Sequence, residues 1–445
     1  MRRDAMTFSI VTFGCKVNQY ESQAIRELLR REGGVEVRPS ERPQICVVNT
    51  CAVTQATENE CHRAIRRFAD RGPDSLTIVT GCMADVAPRP AWKNDRVRVV
   101  HKKDAAQIAS AIREDHADPA PSSVFDLAVS GHADHARALL KIQDGCDAAC
   151  SYCIVPKACG PSRSRPVADI LAEAERLARN GYREIVLTGV HIGGYGKDIG
   201  STSLSRLLRA LVKIVGPGRL RLGSLEMGDV TGDLLELIAS EPRLCPHFHI
   251  PLQSGDAEIL RRMNRRYSPS DYVQRMAEIR RAIELPALTT DVIVGFPGET
   301  EEAFRRTLDL CRQAGFSRIH VFSFSPRPGT AAAEMPGRVP PRVVRRRKEQ
   351  LQATAAGLAD DYRRQMIGRE AELLIEYGRD LHTARLASGS TELAEIKPCH
   401  PSGLLHGHTE RYVGVLVDGP DEWMGTIQRV RIVDALGGHL RGSPA

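Results

Sequence analysis

Five apolar, β-branched runs recur along the middle of the chain at intervals of roughly 30–40 residues: "REIVLTGV" (183–190), "RLRLGSLE" (219–226), "HFHIPLQ" (247–253), "ALTTDVIVGF" (287–296) and "SRIHVFSFS" (317–325). Helical segments such as "ADILAEAERLARNG" (168–181) and "TEEAFRRTLDLCRQAG" (300–315) lie between them. Consecutive parallel strands need a long crossover, usually a helix, so this alternation predicts a parallel sheet covered by helices. Its rhythm is that of a βα barrel. A further strand leading to Asp144 makes six, fewer than the eight of a closed barrel. The expectation is an open, partial (β/α)6 barrel with a lateral opening that admits a large substrate.

Residues 1–117 carry a separate alternation. "FSIVTFG" (8–14), "ICVVNT" (45–50) and "LTIVTG" (76–81) read as strands, with helices at "NQYESQAIRELLRREGG" (18–34) and "TENECHRAIRRFADRG" (57–72). This predicts an N-terminal parallel α/β domain. Each strand is followed at once by a cysteine: Cys15, Cys51 and Cys82. The carboxyl ends of parallel strands lie along one edge, where ligands bind, so the three thiols are expected to converge.

"DPAPSSVFDLAVSGHADHARA" (118–138) has linker composition, and the barrel with its basic connecting helix (342–368) is placed at 139–368. Short alternating runs then predict a small C-terminal antiparallel β-barrel over 369–436, followed by a disordered tail at 437–445. The fold class is α/β, in 445 residues that exceed a single ordinary core.

No apolar run approaches the ~20 residues needed to span a bilayer. "MRRDAMTFSI" has no secretory apolar stretch, so a cytoplasmic protein without membrane partners is expected. The net charge of +7 is compatible with a nucleic-acid partner but does not demand one. Twelve cysteines in such a chain point to metal or redox chemistry rather than to disulfides. Cys46, Cys61, Cys245, Cys311 and Cys399 are scattered and read as packed thiols.

"DGCDAACSYCIV" (144–155) is different: Cys146, Cys150 and Cys153 follow the spacing C-x3-C-x2-C, and Cys159 comes next after "IVPKA". Structural zinc sites and ferredoxin-type clusters close with four protein ligands. With Cys159 the set closes; without it, one metal position stays open for a small molecule.

The open set ahead of a βα barrel resembles the radical SAM superfamily. There three cysteines hold a [4Fe–4S] cluster, and the fourth iron takes S-adenosylmethionine (SAM). The order of N-terminal domain, barrel and terminal β-barrel is similar to the methylthiotransferases, whose last domain is the RNA-binding TRAM module. That resemblance implies a second [4Fe–4S] cluster on Cys15, Cys51 and Cys82. "TFGCKVNQYES" (12–22), "NTCAVT" (49–54), "LTGVHIGGYG" (187–196), "HIPLQSGD" (249–256) and "DVIVGFPGETEE" (291–302) are most similar to the MtaB type. Those enzymes methylthiolate C2 of N6-threonylcarbamoyladenosine in tRNA.

The resemblance implies action at position 37, beside the anticodon, with two SAM per turnover. It also implies tRNA (anticodon arm), a sulfur donor and an electron donor such as a flavodoxin or ferredoxin as partners. Candidate SAM contacts are the strand-end residues Thr188, Gly189, Glu226, Gln253 and Asp291. Where relatives commonly carry arginine before a glycine, this chain has Cys159–Gly160, whereas Arg163 and Arg165 follow the pattern. Candidate RNA contacts are "RRMNRR" (261–266), "RVVRRRK" (342–348) and, in the terminal barrel, His406, His408, Arg411 and Tyr412. His247 and His249 suit packing or substrate hydrogen bonding better than metal ligation. The alternatives are a methylthiotransferase for isopentenyladenosine tRNA or a ribosomal protein, and a non-catalytic iron–sulfur or zinc RNA-binding protein.

Overall fold

The structure is a computed structural model, and it describes residues 6–70, 75–86, 95–101, 108, 129–132, 136–378, 404–436 and 438–445. Strands β1 (Thr7–Thr12), β2 (Val35–Glu36), β3 (Ile45–Thr50), β4 (Leu76–Gly81) and β5 (Val97–Val99) form one sheet in the order β2-β1-β3-β4-β5. Every pair in it is parallel. The three expected strands are its centre and are buried on both faces, which is why they read as near-continuous apolar runs. Helix α1 (Lys16–Arg31) has no Gly or Pro inside it and buries Tyr20, Ala24, Ile25 and Leu28. Helix α2 (Gln55–Ala69) starts where the Thr54 hydroxyl accepts a hydrogen bond from the Thr57 amide at 3.3 Å.

β6 (Arg137–Lys141) opens the second domain, and a short antiparallel pair, β7 (Gln143–Asp144) with β8 (Arg163–Ser164), brackets the three-cysteine loop. β9 (Glu184–Thr188), β10 (Arg219–Leu222), β11 (His247–His249), β12 (Ala287–Val294) and β13 (Arg318–Ser323) follow. They make two parallel three-stranded halves, β10-β9-β6 and β11-β12-β13, joined by the bridges Leu220–Leu244 and Ser224–His249. The six expected strands are present, and the barrel is open between β6 and β13. Leu187, Leu222, Phe248 and Val292 share one core with the covering helices, including Leu177, Leu208 and Tyr272. Each such side chain contributes about 1.5–3 kcal/mol when fully buried. Two of the expected strands stop early, at Leu222 and His249, and the residues beyond them turn into loops over the barrel mouth.

β14 (Glu370–Gly378), β15 (Leu404–Thr409), β16 (Gly414–Asp418), β17 (Ile427–Leu436) and β18 (His439–Pro444) form a closed barrel in the order β14-β15-β16-β18-β17. Two expectations are corrected. The barrel is not wholly antiparallel, because β16 and β18 run parallel. Residues 437–445 are not a disordered tail, since β18 is the strand that closes the barrel and buries Leu440 at 1% exposure. Closure removes the open edge that β16 and β17 would otherwise present. Of the expected linker, 118–128 and 133–135 lie outside the described residues, as does Cys399.

Candidate active site

The three-cysteine loop leaves β7 through Gly145, whose φ of 74° lies in the left-handed region. A Cβ there would stand 1.9 Å from the Pro161 carbonyl oxygen, so the two ends of the loop approach closely only because the residue is glycine. Gln143 anchors the same turn from below. Its Nε2 donates to the carbonyls of Asp144 and Gly145 at 2.8 and 2.7 Å and to Ser162 Oγ at 2.9 Å, while its Oε1 accepts from the His191 amide at 2.7 Å. Cys146, Cys150 and Cys153 are left partly exposed.

Two cationic side chains face these thiols. Arg265 donates from Nη1 to Cys150 Sγ at 3.2 Å and pairs through Nη2 with Glu226. His191 holds Asp229 at 2.7 Å, with Cys146 nearby. The Asp229 bond first, then the neighbouring Cys146, raise its pKa to about 10. Burial pushes the Cys153 thiol up to about 12. A cluster ligand must be a thiolate, and neighbouring cations favour that form.

The second triad sits where the N-terminal strands end. Cys15 precedes α1, Cys51 follows β3, and Cys82 begins the short helix α3 (Cys82–Val86). Gly14, with φ of 104°, lets the turn pass against Cys51; a Cβ on it would meet Cys51 Cβ at 2.8 Å and Sγ at 3.0 Å. Asn18 ties the turns together, donating to the carbonyls of Phe13 and Thr50, both at 2.9 Å, and accepting from Cys15 Sγ at 3.6 Å. Cys51 and Cys82 pack in one cluster with Met83 and with Ile154 of the first loop. Burial lifts the Cys51 thiol to about 11. The turn that carries Cys15 thus passes against Cys51, and Cys51 shares its cluster with Cys82.

Cys159 lies between the triads. It ends the helix Val155–Cys159, which packs on α3, and it is buried at 3% exposure. It lies near Cys15, Cys51 and Cys153 alike. Cys46, Cys61, Cys245 and Cys311 are buried, and none of them is in a disulfide.

Thr188 and Gly189 lie against the loop anchor: the Thr188 carbonyl accepts from the Ile142 amide at 2.9 Å, and a Cβ on Gly189 would stand 2.8 Å from the Gln143 carbonyl. Glu226 is one residue removed from Cys150 through Arg265. Gln253, at a φ of 63°, donates its amide to the Asp291 carbonyl at 2.8 Å, and Asp291 meets His249 Nε2 at 3.2 Å. Sequence reasoning missed Gln143, His191, Asp229 and Arg265. Arg265 was visible only as one letter of a charge run, although its side chain is 4% exposed.

The RNA candidates are redistributed. Arg342, Arg345 and Arg346 are exposed, but Arg347 is buried against Glu299 at 2.8 Å. Arg411 and Tyr412, expected to grip RNA, turn inward: Arg411 donates to the carbonyls of Leu285 and Glu284 at 2.8 and 3.2 Å. Tyr412 enters the base of the central barrel, stacked on His408 at 4.9 Å and beside His247 at 5.4 Å. His406 is buried.

The profile described as "Radical SAM superfamily" matches residues 140–311, and that described as "Uncharacterized protein family UPF0004" matches residues 7–101. A Thermotoga maritima protein named threonylcarbamoyladenosine tRNA methylthiotransferase MtaB is 39% identical over 83% of this chain and 87% of its own length. A Bacillus subtilis protein of the same name is 34% identical over 96% of this chain and 94% of its own. The chain belongs to the radical SAM tRNA methylthiotransferase family. An Acidothermus cellulolyticus member, named tRNA-2-methylthio-N(6)-dimethylallyladenosine synthase, is 36% identical over 86% of this chain and 80% of its own. The radical SAM methyltransferase TsrM of Kitasatospora setae shares the fold at a TM-score of 0.54, with 14% identity and 74% and 75% coverage of the two chains.

Members of the radical SAM family use a [4Fe–4S] cluster and SAM. The loop fits such a cluster, since it presents three free, partly exposed thiols beside two cations. No helix among the described residues is long and apolar enough to cross a membrane.

Proposed function

We propose that this methylthiotransferase acts on C2 of N6-threonylcarbamoyladenosine at position 37 of tRNA, next to the anticodon, with two [4Fe–4S] clusters and two SAM per turnover. The observation that carries the two-cluster reading is the packing of the helix Val155–Cys159 on α3, which sets the loop of Cys146, Cys150 and Cys153 against that of Cys15, Cys51 and Cys82. When bound, the clusters and SAM supply radical hydrogen abstraction from an unactivated C–H bond and a sulfur for the product, chemistry no side chain provides.

The chain's own residues hold and orient these groups. Each triad holds one cluster. Arg265 and His191 stabilise the thiolates of Cys150 and Cys146. Thr188, Gly189, Glu226, Gln253 and Asp291 line the SAM side of the barrel mouth, where such folds place their sites. The anticodon arm enters by the lateral opening, and a flavodoxin or ferredoxin and a sulfur donor serve the enzyme in the cytoplasm. The names of the most similar relatives and the MtaB-type motifs support the choice of nucleoside.

Nucleoside analysis of tRNA from a deletion strain tests it: the 2-methylthio derivative of threonylcarbamoyladenosine should vanish. The Acidothermus cellulolyticus relative favours a second reading, in which the isopentenyladenosine derivative vanishes instead. About eight irons per chain are expected after anaerobic loading, from two four-iron clusters.

A further inference from the structure

Tyr412 stands at the tip between β15 and β16 with a φ of 61°, held by its amide donating to the Thr409 carbonyl at 2.9 Å. Three cations surround its ring: Arg137 at 4.8 Å, Arg221 at 4.9 Å and the Lys16 ammonium at 5.7 Å from the centroid. Arg219 and Arg221 share Glu184, at 2.6 and 2.7 Å, and Arg137 holds Glu376 at 3.1 Å. Lys16 makes no ion pair with any described residue. Four cations thus face two carboxylates at the base of the barrel.

The walls above are polar as well. His249, Asp291 and His320 place their ligand atoms within 4.8 Å of one another, and Asp291 is already engaged by His249. The Lys16 ammonium, over the Tyr412 ring that lies beside His247, faces the same lumen.

We propose that Lys16 and Arg137, backed by Tyr412, form an anion subsite that takes the carboxylate of the substrate's N6 side chain. The inference rests on the threonylcarbamoyladenosine reading. That nucleoside carries a free carboxylate on its N6 substituent, whereas an isopentenyl substituent is uncharged and would leave the ammonium unpaired. Discrimination then comes from an unmatched, half-buried charge rather than from shape. Lys16 directly follows Cys15, so an anchored side chain holds the adenine beside the second cysteine triad.

The test uses the full-length, anaerobically loaded enzyme and two anticodon stem-loops. One bears N6-threonylcarbamoyladenosine, the other its threoninamide analogue, which lacks the anionic charge. Wild-type kcat/KM should fall about 10–100-fold on the amide, the range of a hydrogen bond to a charged group. Lys16→Met should raise KM for the carboxylate substrate by a similar factor, leave the amide within about twofold, and keep its iron; Lys16→Arg should recover most of the loss. Should Lys16→Met lose iron, Arg137→Met must show the same split.

Equal loss on both stem-loops assigns the cations to a backbone phosphate and overturns the subsite, as does no loss on either. Equal wild-type turnover of carboxylate and amide overturns the subsite alone. A wild-type enzyme that modifies only isopentenyladenosine stem-loops overturns the substrate reading and this inference with it.

Discussion

Arg265 donates a hydrogen bond to the sulfur of Cys150 at 3.2 Å while its other arm is locked on Glu226 and its Nε on the Tyr267 hydroxyl at 3.2 Å. The guanidinium is buried, a fixed positive charge beside the proposed SAM-binding cluster. Arg265→Met should leave methylthiolation at least about tenfold lower, by loss of one charge-assisted bond to the cluster ligand. It should also change the cluster's electron paramagnetic resonance spectrum on SAM addition. An unaltered spectrum with full deoxyadenosine release would remove Arg265 from the site.

The His191–Asp229 pair gives the metal-free chain a pH signature. The folded pKa of His191 is raised from 6.5 to about 10, chiefly by its bond to Asp229, so its contribution is complete below 6.5 and lost as pH rises through about 10. The Asp229 pKa is lowered by the His191 bond, against its burial, so that contribution is lost only in acid. His191→Gln should therefore lower the unfolding free energy from urea titration most at pH 5–6.5, by about 1–3 kcal/mol for a part-buried charged bond, and the gap should close above about pH 10. A gap independent of pH would show that the pair does not carry this stability.

Cys15→Ser, Cys51→Ser and Cys82→Ser should each remove about half of the bound iron, one of two four-iron clusters. Methylthiolation should disappear while reductive SAM cleavage persists. Undiminished product in any of the three refutes the two-cluster account.

Cys159→Ala should retain iron and activity, although Cys159 lies between both triads. The cost is a small cavity, worth about 1 kcal/mol in thermal or urea stability. Loss of either cluster in this variant would make Cys159 a ligand.

Truncation at residue 369 should do more than weaken tRNA binding. Arg219 and Arg221 donate to the carbonyls of Glu372, His408, Thr409 and Glu410, so removing the terminal barrel strips bonds from two buried cations. A substantial fall in the melting temperature of the remaining two domains is expected, because breaking such a network costs about 3–5 kcal/mol. An unchanged melting temperature would show that the domains are energetically independent.

What the sequence displays are the features encoded by neighbours in the chain. The apolar runs of β1, β3 and β4 and the cysteines after them required only local pattern and the geometry of a parallel sheet. The spacing of Cys146, Cys150 and Cys153 was equally local. Arg265 looked like its neighbours Arg261 and Arg266, because burial comes from tertiary packing that no run of charges reveals. Tyr412 and Arg411 sit in a polar hairpin that reads as surface, and their partners Arg137, Arg221 and Leu285 belong to distant strands and loops. β18 escaped notice because "HLRGS" has only one strongly apolar side chain, Leu440; its necessity comes from closing a barrel whose other strands are already counted.

Glu184 is clasped by two arginines that also grasp backbone carbonyls across the seam, tying the central barrel to the terminal one. Under the proposed function, an RNA arm resting on the last domain would consequently be presented at a constant offset from the mouth of the cavity. Such a bracket acts as a ruler, so the reach of the folded arm, and not only the identity of its bases, sets which nucleotide arrives at the reacting centre.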